Sequence, residues 1–317
     1  MFIIKNIKNK SQGNKIGGLK DLDKRTQYLS LSEEEIRGLQ LKSLEIAKYF
    51  KNFCEENNLL FYLCGGGCIG ALRHKGFIPW DDDIDVFMPR KDYEKLYVLW
   101  NEKADKKRFS CLKTTDTVFM GNIFTTIVNN NTTVIRPHQR NLDIPQGVCM
   151  DIFPLDGCPS GKIRRKIQKF WALIYSLYMA QIVPENHGKL TYLIGKIFLG
   201  LVPNKNMRYK FAKYAQKQMS KYPIESCEKI TELCAGPHYM QNEYPKEVFK
   251  SAIYKEFEKE MMPIPIGYDK YLKIAFGDYM TLPPKEQRIP HHDILFMDLN
   301  KSYKEYKGIK YLTEGKI

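Results

Sequence analysis

The segment Trp80-Asp81-Asp82-Asp83-Ile84-Asp85-Val86 places four aspartates within five positions of a 317-residue chain. Carboxylates this crowded repel one another, and a fold keeps them inward beside apolar neighbours only where a cation neutralises them. Alternation along 83–87 puts Asp83, Asp85 and Phe87 on one face of an expected strand and Ile84 and Val86 on the other, so two carboxylates point the same way. Such a pair suits magnesium, or manganese, which takes carboxylate and phosphate oxygens and keeps part of its water shell. Asp83 and Asp85 are therefore the expected metal ligands, with Asp81 and Asp82 shaping the turn or supporting the ligands from behind. The bland alternative is a solvated acidic loop.

Activating an attacking hydroxyl, or completing a second metal position, calls for a third carboxylate from a neighbouring strand. Asp151 fits: it stands between Met150 and Ile152 in a β-like run over 148–153, where an unpaired charge is costly. Its alternative is a structural hydrogen bond. Asp143 and Asp156 fall in turn-like contexts and are weaker candidates. Upstream, Gly65-Gly66 opens onto a helix whose free N–H groups attract phosphate oxygens, and Arg73, about two helical turns on, offers a forked donor. Trp80 either stacks on a base or fills the core. His291 and His292 either touch phosphate or acceptor or sit at the surface. Cys64 and Cys68 flank the glycines without a histidine partner in motif form and read as packing.

Positioning these groups falls to elements that the pattern marks out. Ser32 with Glu35 makes a capping box, and Ile36, Leu39, Ile46, Phe50 and Phe53 recur at helical spacing, predicting a helix that ends near Asn57-Asn58. A short strand over 59–63 runs into a Gly65-Gly66-Gly67 turn, then a helix over 69–74 that Gly76 breaks. A helix over 91–100 follows, and strands over 123–128 and 132–135 flank the turn Asn129-Asn130-Asn131. Residues 163–183, 190–202 and 207–221 read as helices rich in aromatic and basic residues. From 263 onward the tail reads as strand-like and irregular pieces. The plan is an arm over 1–29, a catalytic core over 30–160, a helical insertion or lid over 161–222, and a C-terminal part over 223–317 that completes the core. No internal repeat is visible.

Fifty Lys and Arg against 36 Asp and Glu give a net charge of +14, a field that favours nucleic acid, an acidic membrane surface or phosphorylated substrates. Basic residues run along the whole chain rather than in one arm, and no arginine-rich, aromatic-interleaved motif appears, which sets nucleic acid aside. Eight cysteines include no C-x-x-C pair and are expected to be reduced, mostly buried thiols. Lysines interrupt the short apolar N-terminus and no small-residue cleavage site follows, so no signal peptide is read and a cytoplasmic protein is expected. Apolar stretches over 170–183 and 190–202 fall short of the roughly 20 residues that cross a bilayer. Whether the basic insertion rests on the inner membrane face or is a packed lid stays open here.

Leu72-Arg73-His74-Lys75-Gly76-Phe77-Ile78-Pro79-Trp80-Asp81-Asp82-Asp83-Ile84-Asp85, then Met88-Pro89-Arg90, resembles the LicD family of phosphocholine transferases, whose distant animal relatives are fukutin and fukutin-related protein. The resemblance resumes at Met150-Asp151-Ile152-Phe153-Pro154-Leu155-Asp156-Gly157 and at Phe276-Gly277-Asp278-Tyr279-Met280 with Pro283-Pro284, Arg288 and His291-His292. It implies an α+β fold: a nucleotidyltransferase-like mixed-sheet core with flanking helices and a helical insertion. It also implies a CDP-linked donor and a glycan acceptor, lipid-linked in one version, with phosphocholine or a related phospho-alcohol passing between them. On that implication Asp83 and Asp85 hold magnesium on the diphosphate, Gly65, Gly66, Arg73 and Trp80 take the nucleotide, Asp151 assists, and His74, Arg288 and His291 touch substrate. One departure stands out: Gly67 replaces the Ser or Thr common after the glycine pair. Two other readings remain at this point. One is a nucleotidyltransferase that uses a free NTP, and the other is a catalytically silent glycan-binding protein, against which the costly acidic cluster argues.

Overall fold

The computed structural model describes residues 28–181 and 189–313, so nearly all of the expected N-terminal arm lies outside the described residues. Helix α1 (Glu33–Glu56) starts where its cap is written: Ser32 Oγ accepts the Glu35 N–H at 3.2 Å while Glu35 Oε2 accepts the Ser32 N–H at 2.8 Å. Its buried face includes Ile36, Leu39, Ile46, Phe50 and Phe53. Strand β1 (Tyr62–Leu63) then leads directly into α2 (Gly65–Arg73). The glycines expected as a turn are thus the first turn of a helix. Crowding explains Gly66, where a Cβ would overlap Asp81 Oδ2, and Gly70 in the next turn, where one would overlap the Gly76 carbonyl, whereas a Cβ on Gly67 would meet only ordinary contacts. Gly65 has a φ of +49°, which costs a residue without Cβ nothing.

Strand β2 (Asp85–Pro89), helix α3 (Arg90–Lys103), β3 (Phe109–Leu112), β4 (Thr125–Asn129), β5 (Thr133–Ile135) and β6 (Cys149–Cys158) follow. The main sheet runs β1-β2-β6-β4-β3, with β2 and β6 parallel and the other pairs antiparallel, so the fold is the expected α+β with a mixed sheet. Strand β6 differs from its expected run over 148–153 by continuing past Pro154 to Cys158. Asp156, expected in a turn, lies inside it, and its carboxylate is clasped by Arg90 at 2.8 and 2.7 Å. The extension exists because β7 (Lys229–Thr231), itself paired with β8 (Tyr244–Pro245), docks on residues 156–158.

Helices α4 (Lys162–Ala180), α5 (Lys189–Leu201) and α6 (Lys205–Met219) occupy the stretch expected as an insertion or lid. Gln168 donates to the carbonyls of Gly157 and Met219, and Tyr175 Oη donates to the Ile123 carbonyl at 2.8 Å. Ala172, Tyr175, Ala212 and Met219 join the same apolar core as the sheet. No described helix is long and apolar enough to cross a membrane.

The C-terminal part holds a hairpin of β9 (Ala252–Phe257) and β10 (Glu260–Pro265), helix α7 (Tyr268–Phe276), and β11 (Phe296–Asp298), which pairs with β5. Helix α7 corrects the expectation of strand-like and irregular pieces there. Pro263, Pro265 and Gly267 punctuate its approach, yet burial of Tyr271 and Leu272 holds it, and Gly277 at φ +72° ends it. All eight cysteines are unpaired, six of them buried.

Candidate active site

Register brings the acids together. In the parallel β2–β6 pair Asp85 stands beside Asp151, and in β4–β6 Thr126 stands beside Asp151. In-register residues share a face, so the three side chains line up across three strands. Thr126 Oγ1 donates to Asp151 Oδ1 at 2.7 Å and fixes that carboxylate.

Asp82 precedes β2 and is buried, and its carboxylate meets the C-terminal segment. It accepts the backbone N–H groups of His291 and His292, both at 3.3 Å, and its Oδ1 lies 3.1 Å from His292 Nδ1. His292 Nε2 lies 3.6 Å from Asp83 Oδ2. Burial works to raise Asp82, but the hydrogen bond and charge of His292 outweigh it and hold the carboxyl below its ordinary range. Burial likewise works to lower His292, and the bond to Asp82 with the charges of Asp83 and Asp82 raises it instead. Asp82 therefore ties the C-terminal segment to the acidic turn.

Asp81 closes the expected turn, its N–H donating to the Ile78 carbonyl at 2.9 Å, and its side chain lines a cavity beside Gly66. Oxygens of Asp81, Asp82 and Asp83 approach within 4.8 Å of one another. Burial and then the Asp83 charge push Asp81 well up, and burial with Asp83 and Asp151 does the same to Asp85. Asp151 is raised by burial, with Thr126 and Arg136 opposing. Arg136 is the half-buried counter-charge: desolvation lowers it, but Cys149, Asp151, Asp82 and Asp83 hold it above its usual range. Five carboxylates thus crowd together, with Arg136 and His292 against them and Arg73 across the cavity that Asp81 lines, an excess of negative charge that a cation relieves. The clustered donors are hard oxygens without a thiolate, a set that fits magnesium or manganese.

Two cavities meet at this centre, and Asp83 lines both. The smaller, about 150 Å³, holds Asp85, Asp151, Thr126, Arg136 and His138 with an apolar wall of Phe87, Phe124, Phe153 and Tyr239. Desolvation against the cavity wall and the charges of Arg136 and His292 lower His138 below the ordinary imidazole range. The larger, about 360 Å³, is lined by Gly66, Arg73, Trp80, Asp81 and His291 with Tyr279, Pro283 and Pro284.

Other expected site residues are placed as follows. Gly65 gives its N–H to Tyr271 Oη at 2.9 Å, so it is Gly66 that lines the larger cavity. Arg73 reaches that cavity while its Nη1 holds the Tyr279 carbonyl at 2.8 Å. Arg288 stacks over Trp80 at 5.4 Å and lines the adjoining groove. Burial and then the Arg288 charge lower Arg73, and among the described residues neither arginine has a carboxylate partner. His74 lies against Arg73 and edge-on to Trp80, lining neither cavity. Arg136, His138 and Thr126 were not singled out from sequence. Arg136 and His138 are isolated residues beside a proline, and only the fold brings them to the acids. His292 differs from His291 by parity alone.

The LicD/FKTN/FKRP nucleotidyltransferase-domain family model matches residues 58–159, the stretch that carries Gly66, the acidic turn, Arg136 and Asp151. The chain is 33% identical over 269 residues to the lipopolysaccharide cholinephosphotransferase LicD of Haemophilus influenzae, covering 81% of this chain and 96% of that protein. An uncharacterized protein of Rickettsia prowazekii is 33% identical over 72 residues, 21% of this chain and 27% of its own.

Proposed function

The chain belongs to the LicD family, and on that premise we propose that it moves phosphocholine, or a related phospho-alcohol, from a CDP-linked donor to a sugar hydroxyl of a cell-surface glycan. Lipopolysaccharide is the acceptor class its Haemophilus relative is named for, and teichoic acid and capsule offer the same kind of hydroxyl. The observation that carries the reading is Asp83 standing in the wall common to two cavities. In-line displacement at phosphorus needs attacking and leaving oxygens on opposite sides of one centre, and two cavities meeting at an acidic wall supply such an arrangement.

In this reading the larger cavity takes the nucleotide, with Trp80 against the base and Arg73 and the Gly66 N–H toward phosphate. Asp83 and Asp85 would hold magnesium or manganese, which when bound neutralises the donor diphosphate. The sugar hydroxyl enters from the smaller cavity. Its oxygen forms the new P–O bond, the bond to CMP breaks, and the proton passes to Asp151, whose raised proton affinity suits a base and whose orientation Thr126 fixes. A glycan carried on lipid and a nucleotide-linked donor would meet on the cytoplasmic side, where we place the protein.

Donor class is tested by thermal stabilisation in the presence of magnesium. CDP-choline at a hundred times its Kd is expected to add about 2.7 kcal/mol, several degrees in Tm, with CTP and ATP adding less. Larger stabilisation by free NTPs would favour a nucleotidyltransferase instead.

A further inference from the structure

Residues 162–219 carry twelve Lys and Arg and a single acid, Glu185, a net of +11 out of the chain's +14. Basic residues do occur throughout the sequence; what sets this stretch apart is that the acids are missing from it. Helices α4, α5 and α6 contain none. The same helices leave large apolar side chains uncovered. Ile163, Ile167 and Phe170 on α4 and Leu193, Ile197 and Leu201 on α5 are 45–76% exposed. Each set recurs at i, i+4 and i+7 or i+8, one stripe along its helix. On α4 the stripe lies roughly opposite the buried positions 165, 168, 172 and 175, so this helix is apolar on its outward side as well as its inward one.

We propose that the outer face of α4–α6 rests on an anionic phospholipid surface, its apolar stripes in the headgroup boundary and its lysines on the phosphates. Exposed Lys162, Lys166 and Lys196 stand beside the stripes, where long stems reach outward while apolar neighbours sink. Charge decides between a bilayer and a second copy of the chain. A two-fold interface sets this face against itself, bringing +11 against +11, whereas an anionic bilayer complements both the charge and the apolar stripes. The inward side of α4 bonds the Ile123 carbonyl through Tyr175, and the adjacent Asn122 and Phe124 line the smaller cavity. One helix therefore joins the lipid face to the wall of the acceptor cavity.

Flotation of the full chain tests this without any donor, so its outcome is separate from the choice of transferred group. With phosphatidylglycerol-containing vesicles the protein should float, and partitioning should weaken at least tenfold on pure phosphatidylcholine. A similar loss is expected for the combined substitutions Ile163→Ser, Ile167→Ser and Leu201→Ser, and for Lys162→Gln, Lys166→Gln and Lys196→Gln. Both sets should keep the wild-type Tm and the wild-type turnover of a soluble acceptor, because the altered side chains are exposed. Wild-type protein that stays in the dense fraction with every vesicle would overturn the proposal. So would a wild-type dimer, seen by light scattering, that the serine substitutions split into monomers.

Discussion

Gly66 and Asp81 share one volume: the space a methyl group would take on the helix is filled by a carboxylate oxygen. Gly66→Ala should displace that flexible side chain at little structural cost, about 1 kcal/mol or less, while lowering kcat/KM by roughly a hundredfold as the turn shifts. Steady-state rates beside a urea titration check this, and unchanged turnover would contradict it. Glu232 offers a residue-scale prediction in pH. It is buried, its Oε1 accepts from Tyr244 and Asn242, and its Oε2 has no hydrogen-bond partner among the described residues. Burial pushes it from 4.5 up to about 7. The folded state thus binds this proton more tightly than the unfolded chain, so stability falls as pH rises from about 4.5 to about 7 and is level above. A shift of that size is worth on the order of 3 kcal/mol. Glu232→Gln should flatten the fall in Tm between pH 5 and pH 8, and parallel curves for the two proteins would count against the assignment.

Elements carried the acids to one place, and here the salt bridge between α3 and β6 is the sharpest test. Asp156 is 1% exposed and held by Arg90. Asp156→Ala leaves the largely buried guanidinium over Tyr93 with Glu94 as its one remaining carboxylate partner among the described residues, and should cost about 3 kcal/mol in a urea titration; a cost under about 1 kcal/mol would show that the pair is dispensable. This pair also shows where sequence reading stops. The α1 cap was legible because Ser32 and Glu35 satisfy one another within a single turn. The end of β6 was not, because Pro154 and Gly157 argue locally against a strand and the partner that overrules them, β7, lies some 70 residues on. Helix α7 was hidden likewise by the prolines before it, its support being burial of Tyr271 against distant Phe87 and Phe249. In the site, the juxtaposition of Asp85 and Asp151 follows from the strands expected around each of them, whereas Asp83, expected on the same strand, lies just before β2, which begins at Asp85. The contacts of Arg136, His138 and His292 come from chain crossings that no local pattern encodes.

At the scale of the whole molecule, charge is divided by task. The sheet half gathers Asp83, Asp85 and Asp151 around Arg136, while the stretch of helices α4, α5 and α6 holds most of the positive excess. A negative centre and a positive face on one chain fit a protein that concentrates a cation and diphosphate at one place and addresses an anionic surface at another. The central claim is that Asp83, Asp85 and Asp151 run transfer from a CDP-linked donor. Its most direct measurement follows CDP-choline, magnesium and a glycan acceptor with the purified chain, reading phosphocholine on the glycan by mass spectrometry together with released CMP. Equal amounts of the two products are expected from the wild type, and a loss of at least a hundredfold in Asp85→Asn at unchanged fold. Wild-type turnover retained by a folded Asp85→Asn, or CMP released with no mass added to the glycan, would contradict it.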